Sequence, residues 1–474
     1  MPIDQVFEFD TDEGIELAKA NLYNQENINN ISQFWSDHPP FFSIVIFKYL
    51  DLFGYSIINA RILTLLFATL LIWCFSQILR LSLGRITAIV SIILLIISIN
   101  FLRLSVSVMQ GIPSLSLGML SVYFLILYTR NLRLYLIILS GITLALSLQI
   151  KMIMLFLIPV ILLYLFTSYD QLSPKKPVKV NLFNILTLPI VIWLLSLSIV
   201  FMTIGLMTQS LDLEKILFFH FSPNLKDTFS NENSFKNVIY IYLQNFDYLL
   251  LSLLGVKYQN IKTDNTYKIP LFWLIILTFV FLNHKPLWYH YMILISLPLV
   301  WLAAYGIKVI LEKIRQINHP INILKLKQAQ FSKFAIFTVI FTLFVIPIKL
   351  GIIQWENHNF VQKSPARFIN LERILTYKNQ SQWLFTDMGM YGFYSQINIP
   401  PEITVISRKR LNSGSIDSEF LFKVLEKYKP EQILINRFPS IFDLIKPYIE
   451  KNYQEIYVDK STKHYLKKNI QKLS

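Results

Sequence analysis

The chain is 474 residues long, 54% of them hydrophobic and only 15% charged, with a mean hydropathy of +0.48; a soluble enzyme of this size carries roughly a quarter charged residues. The formal net charge is +15, but its basic residues are scattered among apolar segments instead of forming a stripe, which argues against a nucleic-acid partner. A lone cysteine, Cys74, sits inside an apolar run and excludes an intrachain disulfide and a thiolate metal cluster.

Residues 1–61 carry nine carboxylates, concentrated at Asp4, Glu8, Asp10, Asp12, Glu13 and Glu16, against three cations, Lys19, Lys48 and Arg61. Within them, 39–53 follows Pro39 and Pro40 and reads as an amphipathic helix on the membrane surface. Ten apolar runs come next, at 62–79, 86–100, 112–128, 133–149, 152–167, 183–207, 236–255, 269–283, 287–311 and 334–351. Several fall short of the roughly 20 residues a perpendicular crossing needs. The run 236–255 is interrupted by Gln244, Asn245 and Asp247. From residue 352 the pattern changes: short β-rich runs at 383–386, 403–406 and 432–435 alternate with helical stretches near 363–377, 417–428 and 440–452. The expected architecture is mostly α, a polytopic transmembrane bundle at 62–351, preceded by the acidic region 1–61 and followed by a small α/β domain at 352–474.

Charge orients the bundle. Arg80 and Arg85, Arg130 and Arg133, Lys175, Lys176 and Lys179, and Lys313 through Lys333 all fall on one side if 236–255 crosses the membrane. The positive-inside rule makes that side cytoplasmic. Residues 1–61, the loops 101–111, 208–235 and 284–286, and the C-terminal domain are then exterior. Residues 1–61 are acidic and exterior with no hydrophobic helix ahead of them, so either the tail is translocated unaided or a first transmembrane helix ahead of it is missing, and the missing helix is the expectation.

Four polar clusters fall at the exterior helix mouths. Asp10, Asp12 and Glu13 crowd three carboxylates into four residues, which raises at least one pKa and suits a general base, although such a stretch is more commonly a solvated helix start. Asp37 and His38 precede Pro39-Pro40. Arg103 precedes Gln110-Gly111-Ile112-Pro113. His284, Lys285, His290 and Tyr291 surround the interfacial aromatics Trp288 and Tyr289.

In this order the clusters resemble the GT-C glycosyltransferases of the protein-mannosyltransferase and aminoarabinose-transferase type, multi-spanning enzymes that use a polyprenyl-phosphate sugar as donor. Asp12-Glu13 matches their Asp-Glu in the first exterior loop. Asp37-His38-Pro39-Pro40 is similar to their acidic-basic-Pro-Pro segment, and Ala60-Arg61 to the Ala-Arg that leads into the next helix. His284 to Tyr291 with Leu297-Pro298 resembles the late segment where a basic residue and a tyrosine lie near the donor phosphate. Phe385-Thr386-Asp387, Pro400-Pro401-Glu402 and Ser407-Arg408-Lys409-Arg410 look like the exterior domain of bacterial members. Gly111 departs from the pattern, since relatives commonly have Asp or Glu there.

The resemblance implies an inverting transferase of a bacterial plasma (inner) membrane, moving a sugar from the lipid phosphate to a lipid, glycan or protein acceptor of the cell envelope. Asp12 would be the base and Glu13 its neighbour. Asp10, Asp37, His38, Arg61, Arg103, His284, Lys285, His290 and Tyr291 would contact substrate, and a divalent cation on Asp12 is optional. Two other readings stay open. A transporter or lipid flippase would put charges and breaks in mid-span and repeat its halves. A catalytically inactive relative is argued by Gly111.

Overall fold

The computed structural model describes residues 1–25, 38–168, 182–211, 229, 233–258, 265–317 and 333–470. In hydrocarbon, backbone N–H and C=O groups must bond within their own segment, so apolar runs of this length become helices. Among the described residues, six helices are long and apolar enough to cross a membrane, or up to eight if two bent pairs each count as one span; Leu134–Ile150 and Met152–Thr167 are shorter apolar helices. We number the helices α1 (Thr11–Gln25), α2 (Phe41–Phe53), α3 (Ile57–Leu83), α4 (Arg85–Ile96), α5 (Ile99–Val106), α6 (Gly111–Asn131), α7 (Leu134–Ile150), α8 (Leu157–Thr167), α9 (Leu182–Met207), α10 (Ser234–Gln244), α11 (Phe246–Tyr258), α12 (Lys268–Asn283), α13 (Ile293–Ile317) and α14 (Lys333–Thr376).

The bundle core is built on Trp193, Trp273, Trp301, Tyr248 and Tyr305, all buried. Its outer face leaves Leu66, Trp73, Phe279, Leu343 and Phe344 exposed, which is a lipid-facing surface. Where α11 crosses α13, Gly255 and Gly306 bring the backbones so close that a Cβ on Gly306 would lie 2.0 Å from the Leu251 carbonyl oxygen.

Two expected spans are broken. The 86–100 run turns by 76° between α4 and α5, and the 236–255 run turns by 76° between α10 and α11. The second break falls where Gln244, Asn245 and Asp247 interrupt the apolar pattern, so the charge parity that oriented the bundle leans on a bent segment. Polar side chains close the break: Asn245 Nδ2 donates to the Ile241 carbonyl at 2.8 Å, and the Tyr248 hydroxyl donates to the Leu94 carbonyl at 2.7 Å, tying one break to the other. Asp247 takes both of its bonds from Lys349 Nζ on α14, at 2.7 and 2.8 Å.

Helix α14 is a second difference. It runs 44 residues without interruption through residue 352, where a domain boundary is expected, and its Pro347 and Pro365 do not end it. Composition changes there from lipid-facing to water-facing while the helical hydrogen bonding carries on. The C-terminal fold that follows holds a four-stranded sheet in the order β1-β2-β4-β3, with β1 Leu384–Thr386, β2 Gln432–Ile435, β3 Tyr453–Val458 and β4 Lys463–Lys467. β1 and β2 run parallel, whereas β4 is antiparallel to both β2 and β3. The run 403–406, expected as a strand, instead begins in a short 3-10 turn at Pro401–Ile403 and continues without strand pairing.

The N-terminal acidic stretch is no solvated helix start. Helix α1 is wedged between α2 and a C-terminal helix, α15 (Gly389–Ser395), with Leu17 and Ala20 fully buried. The approach is set by paired glycines: a Cβ on Gly14 would sit 2.7 Å from the Met390 nitrogen, and one on Gly389 2.2 Å from the Gly14 oxygen.

Candidate active site

The three carboxylates at the start of α1 are pulled apart by different partners. Glu13 is buried behind the helix and forms a forked ion pair with Arg61 on α3: Arg61 Nε reaches Glu13 Oε1 at 2.9 Å and Nη2 reaches Oε2 at 3.0 Å. The same carboxylate accepts the backbone N–H groups of Phe9 and Val108 at 2.9 and 3.3 Å. Arg61 spends further donors on the carbonyls of Ile3, Val6 and Phe7. Both side chains have no solvent exposure. Asp10 is held by Arg103, 2.9 Å from Oδ2, while the Arg103 guanidinium lies over the Tyr289 ring at 4.4 Å.

Asp12 points elsewhere. Its side chain is 45% exposed and lies 3.6 Å from Nδ1 of His290, on the wall of a cavity of about 320 Å³. The cavity is enclosed by the start of α1, the loop before α6, the end of α7, the segment 288–291 before α13, and the C-terminal domain. Where α7 ends in an extended residue, Lys151 places its nitrogen 5.0 Å from the centre of the Tyr291 ring. Lys19 pairs with Glu16 at 3.1 Å, and Glu16 also accepts from Gln110 at 3.1 Å and from the Ser43 hydroxyl at 2.6 Å. The far wall comes from Val405, Ser407, Arg408, Lys409, Arg437 and Phe438. Asp387 shapes that wall by accepting the N–H groups of Asn436, Arg437 and Phe438 at 3.0, 2.8 and 2.6 Å. Burial lowers the pKa of Arg437, opposed by the nearby charges of Glu8, Asp12, Asp387 and Asp10.

Of the residues singled out from the sequence, Asp10, Asp12, His38, His290 and Tyr291 line the cavity. Arg103 stands behind Asp10 and touches the site through it. Glu13, expected beside Asp12 in the catalytic pair, and Arg61, expected to contact substrate, do not line it: their buried pair fixes the N-terminal segment on α3. His284 and Lys285 also lie off the lining. Asp37 falls outside the described residues. Gly111 opens α6, and a Cβ added there would meet nothing within 4 Å, so its lack of a carboxylate leaves room. Among the described residues no group of three or more His, Cys, Asp and Glu is placed to hold a metal ion.

Sequence reasoning did not single out Lys19, Lys151 or Arg437 as site residues, and it quoted Gln110 and Arg408 only within motifs. Lys151 carried a signal, being the only charge between Leu134 and Phe166, since a lone cation in an apolar stretch is expensive unless used. Arg437 carried none, because only folding brings the C-terminal domain over the bundle.

A family model described as dolichyl-phosphate-mannose-protein mannosyltransferase matches residues 37–195. No curated protein sequence matches the chain. Among solved structures, ArnT from Cupriavidus metallidurans bound to undecaprenyl phosphate aligns over 98% of this chain and 94% of its own, with a TM-score of 0.61 and 11% identity. The chain has the GT-C fold. The likeness extends to the oligosaccharyltransferase of Archaeoglobus fulgidus in complex with Zn and sulfate, with a TM-score of 0.51, 12% identity, and coverage of 98% of this chain and 70% of that one. The family match ends inside α9, so the walls supplied by the segment 288–291 and the C-terminal domain are defined by the fold and the geometry above.

Proposed function

We propose that this GT-C protein transfers a sugar from a polyprenyl-phosphate donor to a hydroxyl of a cell-envelope lipid, glycan or protein, with inversion, in a bacterial plasma membrane and on its exterior side. The observation that carries the reading is Asp12: of the clustered carboxylates Asp10 and Asp12 both line the cavity, but Asp10 is held by Arg103 whereas Asp12 has His290 beside it. The undecaprenyl phosphate bound in ArnT supports the donor class.

The chemistry follows from the leaving group. The polyprenyl phosphate departs from its sugar phosphodiester as a stabilised anion, so no acid need protonate it, in contrast to the paired carboxylates of a glycosidase. Asp12 takes the acceptor proton as the acceptor oxygen bonds to the anomeric carbon. The carbon–oxygen bond to phosphate breaks, and its electron pair leaves with the polyprenyl phosphate. One displacement inverts the anomeric centre. Lys151, His290 and the Tyr291 hydroxyl stand where the bundle wall can stabilise the departing charge. Among the described residues no three candidate ligands come together around a divalent cation, so no step is routed through one. The broken helices and the Asp247–Lys349 pair are the features a transporter would share, but they lie outside the cavity lining.

The test is transfer of radiolabel from polyprenyl-phosphate hexoses and pentoses to a cell-envelope extract by the purified full chain, comparing wild type with Asp12→Asn. Label that moves with the wild type and stops with the variant supports the reading. Transfer that survives Asp12→Asn removes Asp12 as the base. No transfer from any donor by a folded protein favours the inactive relative.

A further inference from the structure

The cavity holds more positive charge than one donor phosphate calls for, and the surplus is on the opposite wall. The donor arrives through the membrane, so its single phosphate charge enters on the bundle side, among Lys151, His290 and Tyr291. Lys19 is neutralised by Glu16, and Arg103 by Asp10. Across from them, Arg408 and Arg437 project from the C-terminal domain into the same lining. Arg437 is part-buried, and among the described residues its guanidinium makes no hydrogen bond or ion pair; its ring contact is Phe438, at 4.6 Å. Asp387, the carboxylate that braces this turn, is occupied by three backbone N–H groups. A guanidinium presents five donors in a planar fork suited to a bidentate oxyanion. The charges of Glu8, Asp12, Asp387 and Asp10 offset part of the cost from nearby, but a partly desolvated fork at a cavity wall with no bonded acceptor among the described residues is still costly unless a ligand supplies one.

We propose that Arg437 and Arg408 form an anion subsite for the acceptor: the acceptor carries a phosphate or carboxylate close to the hydroxyl that receives the sugar. This rests on the glycosyltransferase reading and deepens it by naming the substrate class. The subsite grips the oxyanion from the domain side while Asp12, between the two walls, faces the hydroxyl. The donor and acceptor anions are thereby held apart by the sugar that passes between them.

The test uses thermal unfolding of the full chain in detergent, first with undecaprenyl phosphate to saturation and then with added inorganic phosphate or acetate. Arg437→Gln and Arg408→Gln are compared with the wild type at the same salt concentrations, which cancels general anion stabilisation of the fold. The expected result is an undecaprenyl phosphate shift of equal size in all three proteins, which also shows that the variants are folded. Phosphate or acetate then gives a further, saturable rise in Tm in the wild type, reduced in Arg408→Gln and abolished in Arg437→Gln; the stronger of the two anions tells phosphate from carboxylate. Loss of the undecaprenyl phosphate shift in Arg437→Gln, with Arg437→Lys restoring it, would assign this wall to the donor and overturn the proposal. So would a wild type that shows no further rise once the lipid is bound. If undecaprenyl phosphate fails to bind the wild type while the Arg437-dependent phosphate shift persists, the donor reading fails and the anion subsite stands.

Discussion

Replacing Glu13 by Gln should loosen the whole N-terminal segment although Glu13 never reaches the cavity. Its carboxylate is the shared acceptor for Arg61 Nε, Arg61 Nη2, the Phe9 N–H and the Val108 N–H. Glutamine keeps one acceptor oxygen but turns an NH2 group toward two of those donors, and it leaves Arg61 buried without a counter-charge. Breaking a buried ion pair from one side costs about 3–5 kcal/mol, or about two to three and a half decades in an opening equilibrium. Hydrogen exchange read on peptides covering 5–16 and 105–110 should therefore accelerate by about 100-fold or more in the variant. The double variant Glu13→Gln, Arg61→Met removes both charges and should recover much of the loss, giving a strongly non-additive cycle. Label transfer should fall with Glu13→Gln, because Asp12 is its neighbour on the same helical turn. Unchanged protection at Phe9 and Val108, or strict additivity in the double variant, would refute the argument.

Other perturbations test other joints. Gly14→Ala forces a methyl group onto the Met390 backbone nitrogen, so α1 must move away from α15; a displacement of about 1 Å at Asp12 should cost on the order of 100-fold in kcat, and an unchanged kcat would show that the two helices are not coupled. Lys349→Met leaves Asp247 charged inside the bundle and should lower stability by about 3–5 kcal/mol, whereas adding Asp247→Asn should restore most of it, both read by thermal unfolding in detergent. Burial pushes the Glu8 carboxyl up to about 7, outweighing Arg367 at 2.6 Å. The folded chain therefore holds a proton there that the unfolded chain releases near 4.5, and stability falls by about 3 kcal/mol as pH rises from 4.5 to about 7. Glu8→Gln should flatten that slope, and an identical pH profile for the two proteins would sink the assignment.

Much of the site was legible because it sits at helix mouths, where a polar cluster interrupts an apolar run. Asp10, Asp12, His38, His290 and Tyr291 were found that way, and each lines the cavity. Spacing alone could not sort Asp10, Asp12 and Glu13. Three clustered carboxylates look alike until Arg103 takes Asp10 and Arg61 takes Glu13, while Asp12 lies on the cavity wall beside His290. Arg61 read as a substrate contact for the same reason: its burial depends on Ile3, Val6 and Phe7 folding over it from 54 or more residues away.

Apolar runs too long to stay in water determined a membrane bundle from the sequence by itself, and alternation of short β-rich and helical stretches determined a small α/β fold at the C-terminus. Both are local properties, set by side-chain hydropathy and backbone hydrogen bonding over about 5 to 25 residues. The tertiary structure decided what those elements do. Polar residues at 244–247 turned a span into a bent pair because Asp247 could reach Lys349 on another helix. The helix through residue 352 continued because a change of solvent does not break helical hydrogen bonds. The cationic wall of Arg408 and Arg437 exists only because two glycines, Gly14 and Gly389, let α1 and α15 touch and hold the C-terminal domain over Asp12. That contact spans 375 residues of chain, and no pattern confined to one segment can encode it.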